Sequence, residues 1–356
     1  MKKVLFILVA LMTSVPAKPA VGDIFIANAN GLNFRCKVLS SNTAMLYGYY
    51  SDDFQDLDSE SFHSYWSSCL VDYNSGEWED EDHYQVYCHY AGSVTIPQKV
   101  YNADDGQTYS ITSIGEYAFG HALGITKISL PNSISTIGCS AFEQCSGLLS
   151  IVIPSSAPIS SIGATAFSGC TSLSSIKLPD CVTLIGDYAF SGCSNLTSIS
   201  VESGNTVYDS RNDCNAIINT DTNMLVRGCQ NTIIPDDVTI IGSRAFNGCS
   251  GLTAITIPKS VTSISECAFA DCGLISVTVE NTTPPEITSF TFTYRGNITL
   301  YVPAGSKAAY EAAWYWNDFK EIKEYAKPVI RGDFNGDGMV NIADVTELVN
   351  IILGRE

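Results

Sequence analysis

Apolar and polar positions along the central part of the chain recur in a fixed register rather than with a helical period. One phrase reads Ile111-Thr-Ser-Ile-Gly-Glu-Tyr-Ala-Phe119 and returns at 134–142, 159–167, 182–190, 238–246 and 261–269. Its starts are 23, 25, 23, 56 and 23 residues apart. A second phrase sits between the copies: Ile125-Thr-Lys-Ile-Ser-Leu-Pro131, then 148–154, 173–179, 196–202, 252–258 and 274–280. Within 252–258, Ile255 and Ile257 alternate with Ala254 and Thr256. That period of two predicts a short strand with the isoleucines inside and Ala254 and Thr256 outside. In the first coil Lys127 and Ser129 take the outward places. Pro258 lacks an amide donor and closes its strand. Ile241-Gly242 buries one apolar side chain and then permits a sharp turn, and Ala245-Phe246 sets a small residue beside a large one.

Such a coil cannot bury its apolar face alone, so neighbours must stack, about 4.8 Å per step. The predicted fold class is a mostly β solenoid of curved, stacked coils, each of about 23 residues. Its phenylalanines align as a spine, and its outer surface is rich in Ser, Thr and Lys. Cysteine keeps the same register: Cys145, Cys170, Cys193, Cys249 and Cys272 each follow the repeat phenylalanine by three residues, and Ala122 takes that place in the first coil. Alanine in the same place predicts small buried thiols rather than obligatory bridges. Cys214 and Cys229 flank residues 216–226 of the longest interval and suit either two thiols or a clip across a hairpin. Cys36, Cys69 and Cys88 are candidates for one bridge in the N-terminal region, and no paired C-x-x-C spacing points to zinc.

The linked phrases with their Phe-x-x-Cys ending resemble the BspA-like leucine-rich repeats over residues 91–325. The interval 205–237 resembles a recurrent hairpin insertion of that family. Tyr301-Val-Pro-Ala-Gly-Ser-Lys-Ala-Ala-Tyr310 and the residues after it resemble the segment that ends such arrays. Read from the residues themselves, 307–325 predicts an amphipathic helix that caps the open end of the core. The resemblance implies a secreted or surface-exposed leucine-rich-repeat protein that adheres to a protein or a glycan, with no single ligand specified. Residues 18–90 do not fit the coil period and predict a β-rich N-terminal cap. Val94-Thr-Ile-Pro97 reads as a degenerate first strand. Five acidic residues around Trp78 in 77–82 read as a solvated loop. His63, His83 and His89, with Tyr65 and Trp66, read as cap packing more simply than as a sugar platform.

A separate signal ends the chain. Asp333, Asn335 and Asp337 take positions 1, 3 and 5 of an EF-type calcium loop, with Gly338 at the sharp turn. Met339 offers its carbonyl, Asn341 stands at position 9 and Asp344 at position 12. Calcium takes six or more hard oxygens, and this spacing wraps them round one centre. Residues 345–353 predict an amphipathic helix with Val345, Leu348, Val349 and Ile352 on one side. Loop and helix together, 331–356, resemble one half of a dockerin. The resemblance implies a cohesin-like or cell-envelope partner, although dockerins carry two halves and differ at Ile342 and Ala343. Arg331-Gly332-Asp333 also spells an integrin tripeptide, but Asp333 is the first calcium ligand.

Charge and composition narrow the function. Against 19 Lys and Arg stand 37 Asp and Glu, a net charge of −18, which disfavours nucleic acid and anionic lipid. Lys2 and Lys3 precede an apolar run over 4–12 and the small residues Val15-Pro16-Ala17, so 1–17 reads as an export signal. No other segment has the length of a transmembrane helix. No nucleophile elbow, phosphate-cradling loop or H-E-x-x-H occurs, and the chain reads as non-enzymatic. The expected parse is a signal 1–17, an N-terminal cap 18–90, repeats 91–283 and a C-terminal cap 284–325. A linker 326–330 and the calcium module 331–356 follow. The expected function is adhesin-like recognition of an extracellular protein or glycan through the repeats. The alternative is a structural part of an extracellular polysaccharide-degrading assembly, docked through the calcium module.

Overall fold

The computed structural model describes residues 24–29, 32–46, 90–325 and 342–353. Residues 1–17, the acidic stretch 77–82, the histidines at 63, 83 and 89, and Cys69 and Cys88 lie outside the described residues, as does 331–341 of the calcium loop.

The N-terminal cap is built from strands. Ile24–Ala29 pairs antiparallel with Leu32–Val38, which pairs antiparallel with Thr43–Leu46. Thr43–Leu46 then lies parallel to Gln107–Ile114, so the cap enters the first ladder of the array directly. Phe34, Cys36, Val38, Ala44 and Leu46 are buried, as a period-two pattern with one face on a core requires.

Each repeat supplies one strand to each of two parallel ladders. In the first ladder Gln107–Ile114, Thr136–Ile137, Ser161–Ile162 and Leu184–Ile185 follow one another. In the second, Gly92–Thr95 pairs with Ile125–Ser129, and that with Ser150–Val152. Ser175–Leu178 pairs with Ser198–Val201, and beyond the insertion Ala254–Ile257, Ser276–Val279 and Thr299–Pro303 continue in parallel. Ile255 and Ile257 are buried while Ala254 and Thr256 are exposed, so the alternation read from the sequence holds.

The phenylalanines form a spine. Ring centres of Phe119, Phe142, Phe167 and Phe190 are 5.3, 5.2 and 5.4 Å apart, and the stacked rings are nearly parallel. Tyr90 extends the row at 5.3 Å from Phe119. A second row runs through Phe246, Phe269 and Phe292 at 4.9 and 4.8 Å and ends on Trp316 and Phe319. The longest interval interrupts the spine. It forms an antiparallel hairpin, Ala216–Asn219 with Met224–Gly228, whose second strand lies parallel to Ile240–Ile241. The hairpin takes the ladder place of a coil. On the turn side the flanking coils meet directly: the Gly192 amide donates to the Asn247 carbonyl at 3.3 Å. A Cβ on Gly248 would come within 2.7 Å of the Gly192 Cα, so this contact requires glycine. Arg227 is buried at the same seam. Its guanidinium donates to the Arg244 and Asn247 carbonyls at 3.3 and 3.1 Å and to Cys249 Sγ at 3.6 Å. Among the described residues no carboxylate pairs with it.

The C-terminal cap differs from the expectation of one helix over 307–325. A helix covers Lys307–Ala312 only, and Glu321–Tyr325 is a strand parallel to Thr299–Pro303. The last ladder strand otherwise leaves a row of unpaired amides and carbonyls, and pairing them outweighs local helix propensity. Tyr310 and Trp316 still close the core, donating to the Asn281 and Pro285 carbonyls at 2.9 Å each.

Candidate functional site

The broadest regular surface is the outer face of the second ladder. Strand register lines up Lys127 with Ser150, Ser175 with Ser198, and Ala254 with Ser276, Thr299 and Glu321. The neighbouring file holds Ser129 with Val152, Lys177 with Ser200, and Thr256 with Thr278, Tyr301 and Lys323. Leu149, Val152 and Ile275 stand exposed on this side. Lys177 pairs with Glu202 at 2.9 Å and Lys323 with Glu321 at 2.8 Å, both at the surface. Such pairs contribute little to stability and leave mixed charge available to a partner.

The hydroxyls of the first ladder do different work. Ser135 Oγ donates to the Thr112 carbonyl at 3.0 Å, Thr183 Oγ1 to Ser160 at 3.3 Å and Thr262 Oγ1 to Thr239 at 3.3 Å. Each donor is spent on the preceding coil, so this column stitches the array together.

The cysteine column is reduced, buried at Cys145, Cys170, Cys193 and Cys249 and partly buried at Cys272. Cys145, Cys170, Cys193 and Cys272 donate to the carbonyls of Phe119, Phe142, Phe167 and Phe246 at 2.9, 3.1, 3.2 and 3.1 Å. Each thiol thus satisfies a carbonyl of the coil before it, which alanine in that place does not do. Burial pushes the Cys193 thiol up to about 12, and it also raises Cys170. Cys214 and Cys229 are free thiols as well, which corrects the disulfide alternative for the hairpin. Cys214 Sγ donates to its local Ala216 carbonyl at 3.9 Å, while Cys229 Sγ reaches across to the Asn215 carbonyl at 3.4 Å, so each thiol bonds backbone and not the other sulfur. Cys36 is likewise a free, buried thiol.

Two further columns escape inspection of the sequence for apolar period. The residues two before the spine phenylalanine are Tyr117, Ser140, Thr165, Tyr188, Arg244 and Cys267, all with φ of 51 to 60°. Those two after it are His121, Gln144, Gly169, Gly192, Gly248, Asp271 and Tyr294, with φ of 54 to 75°. Both places are left-handed turns whose backbone bonds run to the next coil, as from the Phe119 amide to Ala141 at 2.8 Å. The backbone is fixed there while the side chain varies, and Arg244 lies 4.2 Å over the Tyr188 ring. Aligning the repeats on phenylalanine reveals these columns. Their positive φ is hidden because few of the residues are glycine.

Of the calcium-ligand candidates, Asp333, Asn335, Asp337, Met339 and Asn341 lie outside the described residues. Asp344 is described: it is buried in the first turn of the helix Ile342–Leu353. A carboxylate withdrawn from water needs a cation or donors around it, and the oxygen-rich donor set before it suits calcium. On the same helix Val345, Val349 and Ile352 are exposed at 54%, 45% and 71%, an apolar file at spacing i, i+4, i+7. Among the described residues no helix is long and apolar enough to cross a membrane.

Residues 112–220 and 217–323 match the family described as "BspA type Leucine rich repeat region", in six copies. A leucine-rich repeat protein from Eubacterium ventriosum is 17% identical, covers 86% of this chain and 73% of its own, with a TM-score of 0.45. One from Bacteroides ovatus is 23% identical over 65% of this chain and 69% of its own, with a TM-score of 0.38. A leucine-rich cell surface protein from Faecalibacterium prausnitzii is 17% identical over 85% and 95%, with a TM-score of 0.30. Among curated proteins none matches the chain.

Proposed function

The chain belongs to the BspA-type leucine-rich repeat family, and on that premise we propose that it is a secreted or cell-surface, non-catalytic binding protein. It acts like an adhesin, recognising an extracellular protein or glycan through the outer face of its repeats. The observation that carries this reading is the register of the second ladder, which holds Ser, Thr and Lys side chains outward in straight files over successive coils. Such a face presents a long, rigid contact area whose side chains vary while the backbone does not. The affinity of such surfaces comes from a few anchors, and exposed Leu149, Val152 and Ile275 are suited to that role.

A second reading rests on the terminal helix. Its apolar file and buried Asp344 suit a calcium-organised docking element. In this reading Asp333, Asn335, Asp337, Met339, Asn341 and Asp344 would hold the ion, which fixes the loop against the helix. The chain then serves as a structural part of an extracellular polysaccharide-degrading assembly, held through a cohesin-like or cell-envelope partner.

Pull-down with the full chain separates the two. The baits are surface proteins of the producing cell and host matrix proteins, with calcium and with chelator. Capture of one partner regardless of calcium, abolished by Lys127→Glu with Lys177→Glu, supports the ladder face. Capture that needs calcium and disappears with Asp333→Ala and Asp337→Ala supports the docking element and sets the first reading aside.

A further inference from the structure

The two columns that flank the spine phenylalanine change character at the last coil. Earlier coils place mostly small or polar residues beside the phenylalanine. In the last coil the corresponding places hold Phe290 and Tyr294, exposed at 62% and 77%. Tyr294 has φ of 54°, a conformation that bulky residues rarely adopt. The two side chains wall an open depression of about 550 Å³ whose lining includes Phe292. Arg295 and Asp318 line it as well. Arg295 Nη2 donates to the Ser289 carbonyl at 2.7 Å, and Nε lies 3.4 Å from the Asp318 carboxylate. The guanidinium is 5.3 Å from the centre of the Tyr315 ring, and that ring is 6.5 Å from Trp314, which is 82% exposed.

We propose that this aromatic depression binds a neutral glycan. Sugar rings lie against Phe290 and Tyr294, and the chain continues past Arg295 toward Tyr315 and Trp314. The proposal rests on the reading of the protein as an extracellular binding protein and names one ligand class and its place. The lining chemistry selects the ligand. The described lining sets the rings of Phe290 and Tyr294 beside the polar groups of Ser289, Thr293, Arg295 and Asp318, the mix of apolar faces and a few polar groups that small-ligand sites present. A pyranose offers a C–H face to an aromatic ring and hydroxyls at its edge. The hydroxyls both donate and accept, and the rim offers the Asp318 carboxylate, 54% exposed, as an acceptor. Charge points the same way. Arg295 and Asp318 cancel each other in a chain whose net charge is −18, so an uncharged ligand is favoured over an anionic one. The volume falls within the range of about 300–1,000 Å³ typical of small-ligand sites. The aromatic residues stand on turns tied to neighbouring coils, and Tyr and Trp lose little side-chain entropy on binding.

The test is affinity electrophoresis of the full chain in gels holding soluble neutral polysaccharides: a β-1,3-glucan, a xyloglucan, a galactomannan and an α-mannan. Polygalacturonate serves as the anionic counterpart. At least one neutral polysaccharide is expected to retard the protein. Phe290→Ala with Tyr294→Ala should weaken that binding at least tenfold, Trp314→Ala by several-fold, and Tyr294→Phe only slightly. Asp221→Asn, at the exposed turn of the hairpin, should leave it unchanged. If the double variant loses cooperative unfolding, Trp314→Ala and Asp318→Asn carry the test. No retardation by any neutral polysaccharide overturns the proposal, as does retardation unaltered by these variants or seen with polygalacturonate alone. Capture of a protein partner on the ladder face, with no glycan bound, overturns this proposal and leaves the broader reading standing.

Discussion

Truncating Phe167 to alanine removes the middle of the first spine, and the structure sets the size of the effect. The ring is fully buried, with Phe142 at 5.2 Å on one side and Phe190 at 5.4 Å on the other. Loss of a buried phenylalanine costs about 3–5 kcal/mol in transfer energy and cavity. Each flanking stack contributes about 0.5–1.5 kcal/mol beyond area burial. The backbone cannot collapse into the hole, because the Phe167 amide is held by Ala189 at 2.7 Å and the Ala166 carbonyl by Phe142 at 2.8 Å. The expected loss is therefore about 4–8 kcal/mol, read from urea unfolding followed by far-ultraviolet circular dichroism. A double-mutant cycle on Phe142 and Phe167 should give a coupling of about 0.5–1.5 kcal/mol. The same cycle on Phe119 and Phe190, which do not touch, should give none, since coils in such arrays couple to nearest neighbours. A loss below about 2 kcal/mol, or equal coupling in both cycles, refutes the spine as the source of stacking energy.

Gly228→Ala places a methyl group against the Phe246 ring and should destabilise by about 2–3 kcal/mol. Gly296→Ala, whose nearest neighbour is 3.9 Å away, serves as the silent control in the same thermal melts. At pH 8 an Ellman-type reagent should label exposed Cys139 first among the described thiols, with Cys170 and Cys193 reacting only after denaturation. Burial holds Cys36 and Cys193 at about 12, above the ordinary 9.0. Their contribution to stability is therefore complete below pH 9 and is lost as pH rises toward 12, because the unfolded chain releases those protons first. Denaturant midpoints that stay level through that window would remove the thiol column from the account. Isothermal titration with calcium should show one site in the full chain and none after Asp337→Ala or Asp344→Ala. Unchanged binding in either variant refutes the ligand assignment.

The second ladder, its inward and outward faces and the spine were legible because each follows from a period: two along a strand, about 23 between coils. The thiol column was legible for the same reason, since Ala122 marks its place as small. The terminal strand was not, because Lys307–Ala312 sets a helical pattern that local composition carries forward. Only the open ladder edge at Thr299–Pro303 decides against it, and that edge exists only in the assembled array. The aromatic depression was hidden for another reason. Phe290 and Tyr294 become neighbours of Arg295 and Asp318 only in the folded coil, Tyr294 through a turn of positive φ that its residue type does not announce.

The break in the spine between Phe190 and Phe246 also has a mechanical meaning. A pull along the array loads its coil junctions in series, and the weakest junction gives way first. Among the described residues no ring stack bridges this junction, and a buried guanidinium without a carboxylate sits in it. The buried apolar residues fall into two clusters that meet at the hairpin. Under tension the protein should lengthen in two stages, parting at the hairpin while the coils on either side keep their shape. A molecule held at both ends would then shed load at one junction while the stacked coils on either side stay folded.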